Sequence, residues 1–200
     1  MNKRLAIVVV FITMAVSIAY SQDSQKPQTQ PKTQPPPQTQ PKTQAPPKTQ
    51  APAKVPGTGV DKQFINKALM GNMTEVELGR LAVEKAQSAD VKQFGQRMID
   101  DHSRALDEAK QLASSKSVNV PSTLDAKSNA TKERLSKLSG AAFDKAYMSA
   151  MVKDHQEDVR LFERASAQTA DAQSKDWAGK TLPTLKDHLK MARDITAKLK

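Results

Sequence analysis

The chain contains no cysteine among its 200 residues. Disulfide frameworks, thiolate metal sites, cysteine nucleophiles and a lipid-modified N-terminal cysteine are therefore excluded. Aromatic residues are also scarce, with five Phe, two Tyr and one Trp. Alanine, lysine, glutamine, serine and aspartate are common instead, which favours helices that pack through small side chains.

A concentrated positive charge is also missing, although the net charge is +10. Lys3 and Arg4 belong to an N-terminal leader, and five lysines in a proline-rich tract outweigh the single Asp23 there. Residues 61–200 consequently carry a net charge of only +4. Basic and acidic residues alternate in that region, which is typical of a solvated surface. We therefore expect no nucleic-acid partner.

Residues 1–21 have the three parts of a secretory signal peptide: a basic start, an apolar run and a small-residue end. The sequence Ala-Tyr-Ser that ends at Ser21 predicts cleavage before Gln22. The apolar run at residues 5–18 is shorter than the ~20 residues that a membrane-spanning helix needs. We expect a periplasmic or secreted protein, and the alternative is an uncleaved leader that anchors the chain to a membrane.

Residues 22–59 repeat a short phrase built on Gln, Thr, Pro and Lys, and ten of the twelve prolines fall between Pro27 and Pro56. Proline fixes φ and removes a hydrogen-bond donor, and the tract has almost nothing apolar to bury. It predicts a disordered, extended linker. Such a linker would space the domain from a membrane or reach through cell-wall polymer to an envelope partner, although a tolerated repeat expansion explains it equally well.

Residues 60–200 show helical periodicity throughout and no sustained alternation of the kind that marks strands. The pattern predicts an all-α, antiparallel bundle of four main helices with a short N-terminal helix over residues 61–70. Helix ends are predicted from local signals: Gly71-Asn72 ends the short helix, and Thr74 with Glu77 forms a capping box that opens the next.

The later helices are predicted in the same way. Ser88 is expected to cap a helix that ends near residue 114, and Ser122 or Thr123 a helix that ends near residue 138. Two more follow over about residues 141–169 and from residue 171 to the end. Pro183 lies inside the last pattern and predicts a kink or a break at residues 180–182.

The chain has three histidines, and each follows an aspartate: Asp101-His102, Asp154-His155 and Asp187-His188. Each histidine falls on or beside the apolar stripe of a different predicted helix. Each aspartate, about 100° further round its helix, points toward the rim, where it would orient a histidine of a neighbouring helix.

Three inward imidazoles on separate helices suggest a shared site, because burying each one costs desolvation unless it is paired or bound to a metal. Neutral imidazole suits Zn, Cu, Fe and Ni. The candidate metal ligands are Glu77, His102, His155 and His188, with Asp158 in reserve. The alternatives are core histidines satisfied by hydrogen bonds, a capping role for Glu77 and a solvated Asp158.

Other sites are not supported. Di-metal carboxylate bundles use Glu-x-x-His on two helices, whereas Ile99, Val152 and Leu185 stand three residues before the histidines here. There is no glycine-rich phosphate loop, and no spacing suggests a catalytic triad. No catalytic residue is predicted, and an enzymatic role is the weaker expectation.

Several segments together resemble the exported bacterial family called domain of unknown function 4142. They are EVELGRLA at residues 75–82, VKQFG at 91–95, MIDDH at 98–102, FDKAY at 143–147, His155 and LPTLKDHL at 182–189. The resemblance covers about residues 62–199 and includes all three histidines. It implies a ferritin-like helical bundle in a cell-envelope protein, and it implies no established reaction.

Two functions from different classes follow. The first is an exported envelope protein that binds one divalent transition metal through a buried histidine-rich centre, in metal handling or protection against envelope stress. The second is a metal-free structural or interaction module that docks an envelope partner through a helix face. Imidazoles further apart than ~8 Å would favour the second, because metal–nitrogen bonds are only ~2 Å long.

Overall fold

Five α-helices make up most of residues 59–199, the part of the chain that the computed structural model describes. In chain order they are α1 (Gly59–Lys85), α2 (Ala89–Lys116), α3 (Ala126–Ser136), α4 (Gly140–Gln168) and α5 (Ala172–Lys198). The four long helices form two hairpins, α1 with α2 and α4 with α5. The hairpins meet where α1 contacts α4 and where α2 contacts α5. The prediction of an all-α, ferritin-like bundle is confirmed, and no strand occurs in the described residues.

The predicted leader, residues 1–21, and all but the last residue of the predicted linker, residues 22–59, lie outside the described residues. The division into leader, linker and bundle therefore stays a prediction. Within residues 59–199, no helix combines the length and the apolar character that crossing a bilayer requires.

Helix α1 is one continuous helix, so the predicted stop at Gly71-Asn72 and the predicted capping box are both wrong. Asn72 lies on the buried face, where its Nδ2 donates to the carbonyl of Ala68 at 2.7 Å. Thr74 does not cap a helix, because its hydroxyl is 2.8 Å from the Met70 carbonyl one turn earlier. The Thr74 hydroxyl also lies 2.8 Å from that of Ser128 on the third helix, so residues that locally favour a helix end are held inside α1 by bonds within the helix and by a tertiary contact.

The short helix of the bundle is α3 and not an N-terminal segment as predicted. Its N-cap is Asp125, whose Oδ1 accepts the backbone N–H of Ser128 at 2.7 Å, instead of Ser122 or Thr123. Aspartate at this position satisfies an amide that the first helical turn leaves without a partner.

The turn between α1 and α2 is fixed from outside the hairpin. Ser88 stands at the predicted N-cap of α2, but its side chain accepts no capping hydrogen bond. The buried carboxylate of Asp144 on α4 instead accepts the backbone N–H groups of Gln87 at 3.0 Å and Ser88 at 2.8 Å. A side chain of the second hairpin thus holds the turn of the first.

Helix α5 runs through Pro183 without the predicted break. A proline inside a helix leaves the carbonyl four residues earlier without its amide partner. That carbonyl belongs to Gly179, and both residues are exposed, so water can satisfy it. The helix is therefore continuous through Pro183 at the cost of one backbone hydrogen bond.

Two buried apolar clusters form the core. One includes Phe94 and Tyr147, whose rings are 6.3 Å apart, and the other includes Phe64 and Phe162, whose rings are 5.1 Å apart. Both clusters border the histidines: the ring of Phe94 lies 6.3 Å from that of His155, and Phe162 lines a small cavity together with the other two histidines. The histidine layer is therefore shielded by apolar side chains from both clusters.

Two glycines allow α1 and α2 to approach closely. A Cβ added to Gly79 would lie 2.7 Å from the carbonyl oxygen of Gly95, and one added to Gly95 would lie 2.7 Å from the Cβ of Ala82. Neither position has room for a side chain. This contact fixes the spacing between the helix that carries Glu75 and the helix that carries His102.

Candidate metal centre

The three histidines meet in the middle of the bundle, one each from α2, α4 and α5. His102, His155 and His188 are 3%, 0% and 1% exposed. Their ring centroids are separated by 5.6 Å, 5.3 Å and 5.4 Å. Each histidine follows an apolar core residue at helical spacing, as His155 follows Met151 by one turn, so the bundle turns all three rings inward. The phasing that placed them on apolar faces is correct.

One nitrogen of each ring is held by a hydrogen-bond acceptor of the protein. Nδ1 of His102 is 2.9 Å from Oδ1 of Asn72, and Nδ1 of His155 is 3.0 Å from the carbonyl oxygen of Met151. Nε2 of His188 is 2.8 Å from Oδ2 of Asp101. Because an acceptor requires a proton on the nitrogen that faces it, these bonds fix the tautomer of each neutral ring.

The other nitrogen of each ring has no hydrogen-bond partner among the described residues. These atoms are Nε2 of His102, Nε2 of His155 and Nδ1 of His188. In the tautomers described above they carry lone pairs, and one nitrogen from each ring lies within 4.8 Å of the others. Buried polar atoms without partners are uncommon in folded proteins, so three in one cluster mark a candidate site for a proton donor or a metal ion.

Glu75 on α1 supplies a carboxylate to the same cluster. It is 0% exposed, with Oε2 at 3.6 Å from Nε2 of His102 and Oε1 at 3.5 Å from Nδ1 of His155. No N–H or hydroxyl group of a described residue donates to either oxygen. Burial, with the nearby carboxyl groups of Asp154 and Asp158, raises the pKa of Glu75 well above its usual range.

Sequence reasoning missed Glu75, and the reason is the predicted helix end at Gly71-Asn72. In the continuous α1, Ile65, Leu69, Asn72, Glu75 and Gly79 follow one another at intervals of three or four residues and are all buried on one face. The signal was therefore present in the periodicity. The buried position of Glu75 was missed because the prediction ended one helix at Gly71-Asn72 and began a new one at Thr74.

Glu77, a predicted ligand, lies away from the histidines. Its side chain is 29% exposed and accepts from Lys132 of α3 and from Arg80, each at 2.5 Å. Those cations hold the pKa of Glu77 below its ordinary value, with the Lys132 hydrogen bond as the main cause. The structure brings the three predicted histidines together, places Glu77 in a surface ion pair and puts Glu75 beside the rings.

Asp158, the reserve ligand, lies beside the cluster. It lines a cavity of about 20 Å³ together with His102 and His188, and its Oδ1 lies 3.7 Å from the position that a Cβ on Gly71 would occupy. Burial, with the carboxylates of Asp154 and Glu157, raises the pKa of Asp158 to about 8. Neither Asp158 nor Glu75 belongs to the set whose ligand atoms converge within 4.8 Å, which consists of the three histidines; Glu75 differs in lying 3.5–3.6 Å from two of the rings.

The electrostatics of the cluster keep its imidazoles neutral. Burial, together with the other two rings, lowers the pKa of His102 well below its ordinary value, and burial with His188 beside it lowers the pKa of His155 to about 3. Burial also lowers the pKa of His188, although Asp101 opposes the shift. Neutral imidazole is the form that binds a metal, so the rings need lose no proton on metal binding at pH 7.

Asp101 has the orienting role expected of the aspartates. Burial raises its pKa, but hydrogen bonds from His188 and Arg104 outweigh this and leave the pKa below its usual value. Arg97 also bonds the carboxylate, at 3.2 Å. The other two aspartates differ, because Asp154 lies near Glu75 and Asp187 is exposed.

Three imidazoles and one carboxylate form a donor set that suits Zn, Cu, Fe or Ni. A tetrahedral centre with metal–nitrogen bonds of ~2.1 Å places its ligand atoms ~3.4 Å apart. The nitrogens lie within 4.8 Å of one another, so side-chain shifts on the order of 1 Å would bring them into bonding range. Among the described residues the three histidines are the only group of three or more histidine or acidic side chains that meets such spacing.

Two solved structures share the fold. A DUF305 fragment from Deinococcus radiodurans superposes with a TM-score of 0.64 at 14% identity, covering 72% of this chain and 99% of its own. A DUF305 protein from Streptomyces coelicolor, described as a presumed secreted protein, gives a TM-score of 0.61 at 12% identity, covering 70% and 93%. At these identities the likeness concerns the fold alone. No curated protein matches the sequence.

A family model for the domain of unknown function DUF4142 matches residues 44–195. The match includes all five described helices except the last three residues of α5, and it includes the three histidines and Glu75. It also confirms the resemblance that the sequence motifs indicated. This chain belongs to the DUF4142 family.

Proposed function

We propose that this chain is an exported cell-envelope protein that binds one divalent transition metal ion through His102, His155 and His188. Glu75 is the fourth donor. The role is metal handling or protection against envelope stress, and not the turnover of an organic substrate. The signal-like residues 1–21 and the linker-like residues 22–59 support export, as does the likeness to a presumed secreted DUF305 protein.

The observation that carries the proposal is the pairing of satisfied and unsatisfied nitrogens. Each ring is hydrogen-bonded to the protein through one nitrogen and has no hydrogen-bond partner among the described residues at the other. Histidines that serve only as core residues would also need partners for their inner nitrogens. A single cation would satisfy three lone pairs and a buried carboxylate at once.

The test is metal analysis of untagged full-length protein after reconstitution with Zn(II), Cu(II), Fe(II) or Ni(II) under matched conditions. We expect one ion per chain, and less than a tenth of that in the triple variant His102→Gln, His155→Gln and His188→Gln. These are the only histidines of the chain, so the imidazole resonances in NMR spectra report on this site alone. Substoichiometric metal with every ion, or unshifted ring resonances, would contradict the proposal.

A matched pair on α1 tests the fourth donor. Glu75→Gln should weaken metal binding, because it replaces a buried anionic ligand, whereas Glu77→Gln alters only a surface ion pair. Equal metal affinity in the two variants would remove Glu75 from the ligand set and leave a site made of three histidines.

The second candidate is a metal-free docking module, and one surface feature favours it. A groove of about 690 Å³ runs between α1, α3 and α4. Its basic residues are Lys67, Lys127, Arg134, Lys153, Arg160 and Arg164. Only Lys127 has an ion-pair partner among the described residues, Glu157 at 3.3 Å. The six basic residues outnumber the four acidic residues of the lining, Asp125, Asp154, Glu157 and Asp158, so the groove suits an acidic partner.

Co-sedimentation with purified envelopes and metal content together separate the two candidates. If docking is the function, the triple histidine variant binds envelopes like the wild type, and Lys153→Glu with Arg160→Glu abolishes binding. If metal handling is the function, the charge reversals leave metal content unchanged. Envelope binding that survives the reversals would exclude the groove.

A further inference from the structure

The candidate centre is closed on one side and borders empty space on the other. Glu75 and His155 are both 0% exposed, and their side chains are 3.5 Å apart. The small cavity lies on the other side, where His102 and His188 form part of its wall and Glu75 and His155 do not. Two of the four donor residues therefore border the cavity, together with Asn72 and Asp101, which hydrogen-bond Nδ1 of His102 and Nε2 of His188.

The cavity has the size of a small ligand. Its volume is about 20 Å³, and a water molecule needs ~10–15 Å³ measured in this way. Its walls include the apolar side chains of Ala105, Phe162 and Leu185 together with the hydroxyl of Thr184 and the carboxyl of Asp158. The space thus has the size of about one water molecule, which suits a monatomic ligand or the end of a linear one.

Small residues keep this space open. Gly71 of α1 and Ala105 of α2 stand on its wall, and a Cβ added to Gly71 would make an ordinary contact of 3.7 Å with Asp158. A leucine at position 105 would add three carbon atoms to the wall. Because the free volume is close to that of a single water, such a side chain would fill it.

We propose that the metal centre keeps one coordination position open to this cavity, and that exchangeable water or a small anion occupies it. This inference rests on the metal site proposed above. Metal sites that serve only structure are closed by protein ligands, whereas sites that exchange ligands retain a water-bound position. With four protein donors the exogenous ligand would be a fifth, and the small cavity limits it to species such as hydroxide, fluoride or azide.

The experiment uses full-length protein loaded with Cu(II), and with Zn(II) as the diamagnetic reference. Exchangeable water on Cu(II) raises the relaxation rate of bulk-water protons above that of the Zn(II) form. Azide should add a charge-transfer band and remove the excess relaxation, and the larger imidazole should do neither at the same concentration. Ala105→Leu should retain copper and weaken azide binding about tenfold or more. Ala167→Leu, an exposed position on α4, is the matched control and should behave like the wild type.

The outcomes separate the inference from the proposed function. Stoichiometric copper with no excess water relaxation and no azide band overturns the open position and leaves the metal site intact. Copper that imidazole binds as readily as azide overturns the size limit set by the cavity. Failure to bind any metal overturns both. If Ala105→Leu does not fold, as judged by circular dichroism, the comparison of azide with imidazole on the wild type still decides.

Discussion

Replacing Glu75 with glutamine should have opposite effects on the metal-free and the metal-loaded protein. In the metal-free protein the Glu75 side chain is fully buried, no N–H group donates to it, and its hydrogen-bonding neighbour is another acid, Asp154. An unsatisfied buried polar group costs about 1–3 kcal/mol. The glutamine amide has the same shape and can donate to Nε2 of His102, which lies 3.6 Å from the present carboxylate. We therefore expect the metal-free variant to be more stable than the wild type by about 1–3 kcal/mol at neutral pH.

The pH dependence of this gain follows from the raised pKa of Glu75. Between its unfolded pKa near 4.5 and its higher folded pKa, the folded chain binds more protons than the unfolded chain. Stability of the wild type therefore falls as the pH rises through this window. The gain from Glu75→Gln should be small below pH ~4.5 and should grow above it.

In the metal-loaded protein the same substitution removes an anionic ligand, so metal affinity should fall about 10-fold to 100-fold. The assays are urea denaturation after treatment with a chelator and competition for the metal with an indicator dye. Glu77→Gln is the control, with stability within about 1 kcal/mol of the wild type and unchanged affinity. A Glu75→Gln variant that loses several kcal/mol without metal, or binds metal like the wild type, would refute the reasoning.

Three further changes test other parts of the centre and the bundle. Asn72→Ala removes the acceptor that fixes the His102 tautomer, so metal affinity measured by dye competition should fall about 10-fold to 100-fold, while the exposed Asn129→Ala has no effect. The unfolded pKa of His155 is 6.5 and its folded pKa is about 3, so the stability of the metal-free protein falls as the pH drops through this window. Between pH 7 and pH 5, urea titrations should show that the metal-free wild type loses about 2 kcal/mol more than His155→Gln. Gly79→Ala should destabilise by about 1–2 kcal/mol because its Cβ would meet an α2 carbonyl at 2.7 Å, whereas Gly179→Ala, with no atom within 4 Å, should stabilise by about 0.5–1 kcal/mol in thermal unfolding.

Helix positions that depend on apolar periodicity could be predicted from the sequence. The predicted bounds of α4, and the start of α5 at its Asp171 cap, agree with the structure within one or two residues. The inward direction of the three histidines follows from the same periodicity. Periodicity decides these features because burying an apolar face outweighs local preferences.

Features that depend on contacts between distant residues were predicted wrongly or missed. Gly71 and Asn72 have the composition of a helix end, but the Asn72 side chain bonds His102 and the space at Gly71 is occupied by Asp158 of α4. Glu75 was missed for the same reason. A sequence shows the intrinsic preference of a residue, and it does not show the partner thirty or eighty positions away that reverses this preference.

The links across the cluster have a consequence for how the chain assembles. The bond from Asn72 to His102 lies within the α1–α2 hairpin, whereas the bond from Asp101 to His188 and the contact from Glu75 to His155 join one hairpin to the other. Helical hairpins form quickly because their contacts are local in sequence, and the docking of the two hairpins is the later, non-local step. The complete ligand set exists only after docking, so a bound ion would stabilise the docked state of the two hairpins. The rate at which a chelator removes the ion would then be limited by how often the hairpins separate.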